Sequence, residues 1–140
     1  MATAPFELAL TAQPGDTDEL GHVNNVVYLR WVQDVAVAHW RELTRELPRD
    51  NLAWVVVRHE IDYRRAAHAG DRLIARTWVG PAAHNTFERH TEILRADTRK
   101  LVARARTLWL PVDARTGRAT GVPDDVRRLV SDENGRGRPS

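Results

Sequence analysis

The chain has 140 residues, enough for one domain with a buried core. Its apolar share of 42% and charged share of 29% are those of a globular protein, and the lack of cysteine excludes disulfides, thiolate chemistry and Cys-ligated metals. The net charge is only +2, with acids interleaved among the basic residues, so no large face of one sign is expected and nucleic acid is set aside as a partner.

Taken in order, Pro5 to Gln13 alternates and predicts a first strand, with Phe6, Leu8 and Leu10 on one face; Pro14-Gly15 ends it. This N-terminal segment lacks a basic stretch followed by a long apolar run. No window is long and apolar enough to span a bilayer, so neither a membrane partner nor a signal peptide is expected and the default compartment is the cytoplasm. Asp16 to Val23 reads as a loop. Asn24 can cap the helix that follows, which the spacing of Leu29, Val32, Ala36, His39, Trp40, Leu43 and Leu47 carries from about Asn25 to about Leu47 before Pro48 stops it. The first half of that helix is apolar nearly all round, so it must be covered on most sides.

Four strand-like runs follow. Leu52 to Tyr63 is expected to place Ala53, Val55, Val57, His59, Ile61 and Tyr63 on one face. Arg72 to Val79 alternates, Gly80 to Asn85 reads as a turn, Thr86 to Arg95 continues the pattern, and Lys100 to Leu110 sets Ala103, Ala105, Thr107 and Trp109 opposite Arg104 and Arg106, with Pro111 as its end. Pro123 to Val130 suggests a short helix, and residues 131–140 a disordered tail after a single domain over 1–130. Short connections imply antiparallel neighbours. The expected fold class is therefore α+β: a five-stranded antiparallel sheet wrapped around one long central helix, with apolar surface left over that makes an oligomer the expected state.

The densest chemistry lies in Asp16 to Asn25, where three acids, a glycine, a histidine and two asparagines stand in ten residues ahead of an apolar helix. The pattern Asp16-Thr17-Asp18-Glu19-Leu20-Gly21-His22-Val23-Asn24-Asn25-Val26-Val27-Tyr28, with the order of elements around it, resembles the hotdog-fold acyl-CoA thioesterases of the 4-hydroxybenzoyl-CoA thioesterase-like superfamily. The segment Ile61 to Asp71 resembles the family's second landmark, an aromatic-ended strand followed by a Gly-Asp turn. The resemblance implies that Asp18 is the catalytic carboxylate, acting as nucleophile or as general base for water. It also implies that the backbone N–H of Asn25 polarises the thioester carbonyl, that the acyl group lies in a tunnel between subunits, and that no metal or redox cofactor takes part. Two positions depart from the family pattern: Gln33 stands where many members have an acid, and Ala66 where many have proline.

The chemistry is coherent on its own terms. A carboxylate can attack a thioester or deprotonate water, a helix N-terminus offers free N–H groups and a favourable dipole, and a thiolate leaves without a strong acid. Asp16 reads as turn scaffolding, and His22 as a residue that bonds the Asp loop or orients Asp18. Asn24, Tyr28, Arg64 and Arg65 are expected on the substrate side, with Asn24 also the helix cap and Tyr28 a core or pocket-wall residue. The basic residues are almost all arginine, Lys100 being the only lysine. Arginine suits bidentate phosphate contacts, so Arg64, Arg65, Arg89, Arg104 and Arg106 are candidates for the coenzyme A phosphates, with solubility of exposed strands as the plainer role. His39 and His59 read as satisfied core or interface histidines, and His68, His84 and His90 lack metal-ligand spacing. An acyl-CoA thioesterase is thus the leading expectation, with an acyl-carrier-protein thioesterase or a non-catalytic acyl-CoA-binding module as alternatives.

Overall fold

The computed structural model describes residues 5–46, 51–83, 85–122, 124 and 126–128. Its elements are β1 (Phe6–Thr11), α1 (Asn25–Leu43), β2 (Leu52–Tyr63), β3 (Arg72–Ala83), β4 (Thr86–Arg95) and β5 (Leu101–Asp113). The strands form one antiparallel sheet in the order β1-β3-β4-β5-β2, with α1 against its inner face. This is the hotdog architecture, as the element order implies.

The alternating patterns decide which face is inner. On β3, Leu73, Ala75, Thr77 and Val79 are buried, and on β5 so are Ala103, Ala105 and Thr107. Val27, Tyr28, Trp31 and Val35 of α1 close over the first of two core clusters, where they meet Leu73, Ala75, Ile93 and Ala103. The second cluster gathers Leu52, Val79, Phe87, Val122 and Val126 around Trp40, Leu43 and Trp54, at the other end of the helix. The outer face carries an ion-pair lattice: Arg106 meets Glu88 and Glu60, and Arg104 and Arg76 meet Glu92.

Several expectations are corrected. The helix ends at Leu43: Thr44 leaves helical backbone geometry (φ −104°, ψ 9°), with its Oγ1 donating to the Trp40 carbonyl; Leu47 lies outside the described residues. The β2 alternation is broken by a register shift between Val56 and Arg58. Leu52 and Trp54 face the core before it and Ile61 after it, while Val55 and Val57 are left exposed outside. One extra residue at a bulge exchanges the faces of everything beyond it. Pro111 does not end β5: the β4–β5 ladder begins at Phe87 and Trp109, so at Pro111 the strand pairs only with β2, a position that tolerates a missing N–H. The expected turn over Gly80 to Asn85 is shorter, since β3 runs to Ala83.

The largest correction concerns neighbours. Consecutive strands are expected to pair, yet β2 pairs β5 at the far edge while β3 pairs β1 and β4. The eight-residue link from Arg64 to Asp71 can span about 26 Å extended, and three strand spacings need only about 14 Å. It therefore crosses the sheet end, passing the N-terminus of α1, where the Val23 N–H donates to the Ala67 carbonyl at 2.7 Å. Of the short helix expected over 123–130, residues 124 and 126–128 are helical; the remainder, and the tail 131–140, lie outside the described residues.

Candidate active site

The Asp16–Asn25 segment is a tight loop closed on itself. Asp18 donates its N–H to the His22 carbonyl at 2.7 Å, and Thr17 bridges Val23. The Asp18 carboxylate turns inward on the loop: Oδ1 accepts from the N–H of Leu20 at 2.9 Å and of His22 at 3.1 Å. No donor among the described residues takes Oδ2, and the side chain is exposed in the single chain. Gly21 makes the turn possible, at φ +77°, a conformation that a side chain would strain.

Asp16 holds the loop from behind. It is 8% exposed, accepts the Gln13 N–H at 2.9 Å and pairs with Arg30 of α1 at 3.1 Å. The Gln13 N–H, and then Arg30, keep its carboxyl below the usual range against the opposing effect of burial. Asn24 Oδ1 caps the helix through the Val26 N–H at 3.1 Å, and its own N–H binds the Asp16 carbonyl. The Asn25 N–H therefore stands at the first helical position, where no intrahelical acceptor exists.

The other predicted residues take distinct places. His22 reaches Asp18 through its backbone, while its ring meets His68 edge-on at 5.1 Å between centroids. Tyr28 is buried between Trp31 and Tyr63, and burial raises its phenol above the ordinary value. Arg64 and Arg65 follow β2, both N–H groups on the Val102 carbonyl, and Arg65 Nη1 also donates to Leu101 O at 2.8 Å; both side chains are exposed. Arg104 and Arg106 are engaged with acids on the outer face, and Arg89 is buried, so these three are not free for a phosphate at the surface.

Sequence reasoning missed three contributors. Tyr63 donates its hydroxyl to the Asn25 carbonyl at 3.3 Å, fastening the end of β2 to the helix start. His68 bridges His22, and the Asp71 carboxylate accepts the His68 N–H at 2.9 Å and pairs with Arg95 at 3.2 Å. The signal was present in the aromatic-ended strand and Gly-Asp turn, since Gly70 at φ +88° builds the bend that carries His68 to the Asp18 loop. Among the described residues, no group of three or more His, Asp or Glu side chains is placed to hold a metal. No helix there is long and apolar enough to cross a membrane.

A cavity of about 250 Å³ lies at the opposite end of α1, walled by Ala36, Val37, Trp40, Trp54, Phe87 and Trp109, with Arg89 among its lining. It is three to four helical turns from Asn25.

The chain is 30% identical over 87 residues to a chloroplastic palmitoyl-acyl carrier protein thioesterase of Cuphea hookeriana, covering 62% of this chain and 21% of that protein. With a dodecanoyl-[acyl-carrier-protein] hydrolase of Cinnamomum camphora it shares 28% over 112 residues, 73% of this chain and 29% of the relative. It thus spans less than a third of the length of these curated relatives. Among solved structures it resembles a 1,4-dihydroxy-2-naphthoyl-CoA thioesterase from Synechocystis (TM-score 0.76, 23% identity, 92% of this chain and 97% of the other). It also resembles a Thermus thermophilus thioesterase complexed with coenzyme A and Zn (TM-score 0.82, 21% identity, 97% and 99%). At these identities the structural likeness speaks for the fold. The family model for the thioesterase-like superfamily matches residues 12–130, and the chain belongs to that superfamily.

Proposed function

We propose that this protein hydrolyses an acyl-CoA thioester to the free acid and coenzyme A, with Asp18 as the attacking carboxylate or the base for water. The observation that carries the reading is the Asp18 loop itself. Two backbone N–H groups orient Oδ1 and, among the described residues, no donor takes Oδ2, seven residues ahead of the Asn25 N–H at the first helical position. In the nucleophilic form, Oδ2 bonds to the carbonyl carbon and the carbonyl oxygen takes the negative charge. Asn25 N–H and the helix dipole stabilise that oxyanion, and the C–S bond breaks to release the thiolate. Water then hydrolyses the mixed anhydride and restores Asp18. In the general-base form, Oδ2 takes a proton from the attacking water and no covalent intermediate arises.

Tyr63, through the Asn25 carbonyl, fixes the helix start that supplies the oxyanion donor. His22 positions Asp18 through its backbone N–H. Arg64 and Arg65, exposed beside Tyr63, are the residues for the carrier's phosphates. A second copy of the chain, in a homodimer or homotetramer, would cover the exposed Asp18 loop and the apolar Leu20 and Val26 beside it.

Solved fold neighbours named as CoA thioesterases or bound to CoA favour CoA as the carrier. The curated relatives, named as acyl-carrier-protein hydrolases, favour the second reading, a carrier-protein thioester. Matched CoA and carrier-protein thioesters assayed for thiol release separate the two. Asp18→Asn should lower thiol release by at least about 100-fold with an unchanged circular dichroism spectrum; wild-type turnover in that variant would overturn the reading. Binding of acyl-CoA without any thiol release by the native chain would point instead to a non-catalytic module.

A further inference from the structure

Arg89 is a charge in an unusual place. It sits on the inner face of β4, in alternation with Phe87, Thr91 and Ile93, and is 7% exposed. Buried guanidinium groups are ordinarily paired with a carboxylate. Among the described residues Arg89 has none. Its Nη1 donates to His39 Nδ1 at 2.9 Å and to Thr77 Oγ1 at 3.1 Å, both neutral groups. Among the described residues no acceptor takes the hydrogens on Nη2 and Nε, and Arg89 lines the cavity at the far end of α1. Burial pulls its pKa down to about 10, which leaves it charged at neutral pH.

The surroundings share one polarity. The indole N–H groups of Trp54 and Trp109, both in the cavity wall, are buried without an acceptor. His39 accepts from Arg89 at Nδ1, so in the neutral ring Nε2 carries the hydrogen, and that donor is also unpaired. The cavity therefore offers an aromatic, apolar wall and a buried positive charge with no carboxylate partner among the described residues, and Arg41 also lines it. A neutral apolar occupant would leave the charge of Arg89 unmatched.

We propose that this cavity is a binding site for a small carboxylic acid with an apolar body, its carboxylate seated on the free edge of Arg89 and its body against Trp40, Trp54, Phe87 and Trp109. The chemistry is that of a planar two-oxygen anion meeting the planar fork of arginine. The site stands at the other end of the helix from Asp18 and Asn25, and it is read from binding alone, so its failure and the failure of the hydrolase reading are separate results.

The test is titration of the full chain with hexanoate and phenylacetate against hexanamide and phenylacetamide, followed by calorimetry and by the fluorescence of the wall tryptophans. The acids should bind roughly 10- to 100-fold more tightly than the amides, the ratio expected for a charge-assisted contact. Arg89→Met should abolish that preference while the amides still bind. Equal affinity of acids and amides, binding of neither, or an acid preference retained in Arg89→Met would each overturn the proposal. The comparison of acid with amide on the native chain decides the matter even where the variant does not fold.

Discussion

The buried pair of His39 and Arg89 makes the stability of this fold depend on pH in a way that can be worked out. His39 is 3% exposed, and burial, with Arg89 second, lowers its pKa from 6.5 to about 3. The folded state thus holds the ring neutral while the unfolded chain takes up a proton below pH 6.5. A group with a depressed folded pKa of this kind contributes stability that is present above the unfolded value and lost as the pH falls toward the folded one, here between about 6.5 and 3. Between pH 7 and pH 5 the loss amounts to about 2 kcal/mol, from the ratio of the two binding polynomials. His39→Asn places an uncharged amide oxygen where it can accept from Arg89 and removes the titration. Urea unfolding of both proteins at pH 7 and pH 5 should show native stability dropping by about 2 kcal/mol more than the variant's. Groups common to both cancel in that difference. Equal drops in the two proteins would refute the reasoning, since His39 would then be free to protonate without unfolding.

Two simpler substitutions test the helix start and the core. Asn24→Ala removes the Oδ1 cap on the Val26 N–H and should cost about 1 kcal/mol in urea unfolding, with Asn24→Asp near neutral; no loss in the alanine variant would mean that the cap is not needed. Leu73→Ala empties a site that is 1% exposed in the first core cluster and should cost about 2–5 kcal/mol, read as a lower midpoint at constant slope.

Much of this molecule is written in local pattern. The start of α1 follows from Asn24, the inner faces of β1 and β3 and of the middle of β5 from alternation, and the scaffold role of Asp16 from its residue type. What escaped local reading has physical causes. The bulge after Val56 is a one-residue event that leaves no composition signal, yet it turns Val55 and Val57 outward. The pairing of β2 with β5 depends on how far eight residues can reach, which periodicity does not encode. Arg89 reads as one more arginine on a strand; the clue was its parity with Phe87, Thr91 and Ile93, an apolar face on which a charge stands out. Within the candidate site, Asn24 caps the helix and Asn25 opens it, as local residue type suggests. Tyr63 and His68 enter only through the fold, because each meets a motif residue some forty positions away in sequence.

The crossing link between β2 and β3 also bears on the order in which this protein can assemble. The Asp18 loop is tied to it by the bond from Val23 to Ala67, which joins segments 44 residues apart and brings His68 beside His22. A helix turn forms from neighbours in well under a microsecond, whereas that contact must wait until the chain has laid down β2 and returned across the sheet end. The nascent chain can therefore cap the start of α1 before it can tie down the loop around Asp18. A local motif is thus finished by a distant segment, and its final shape waits on the crossing of the sheet end rather than on its own residues.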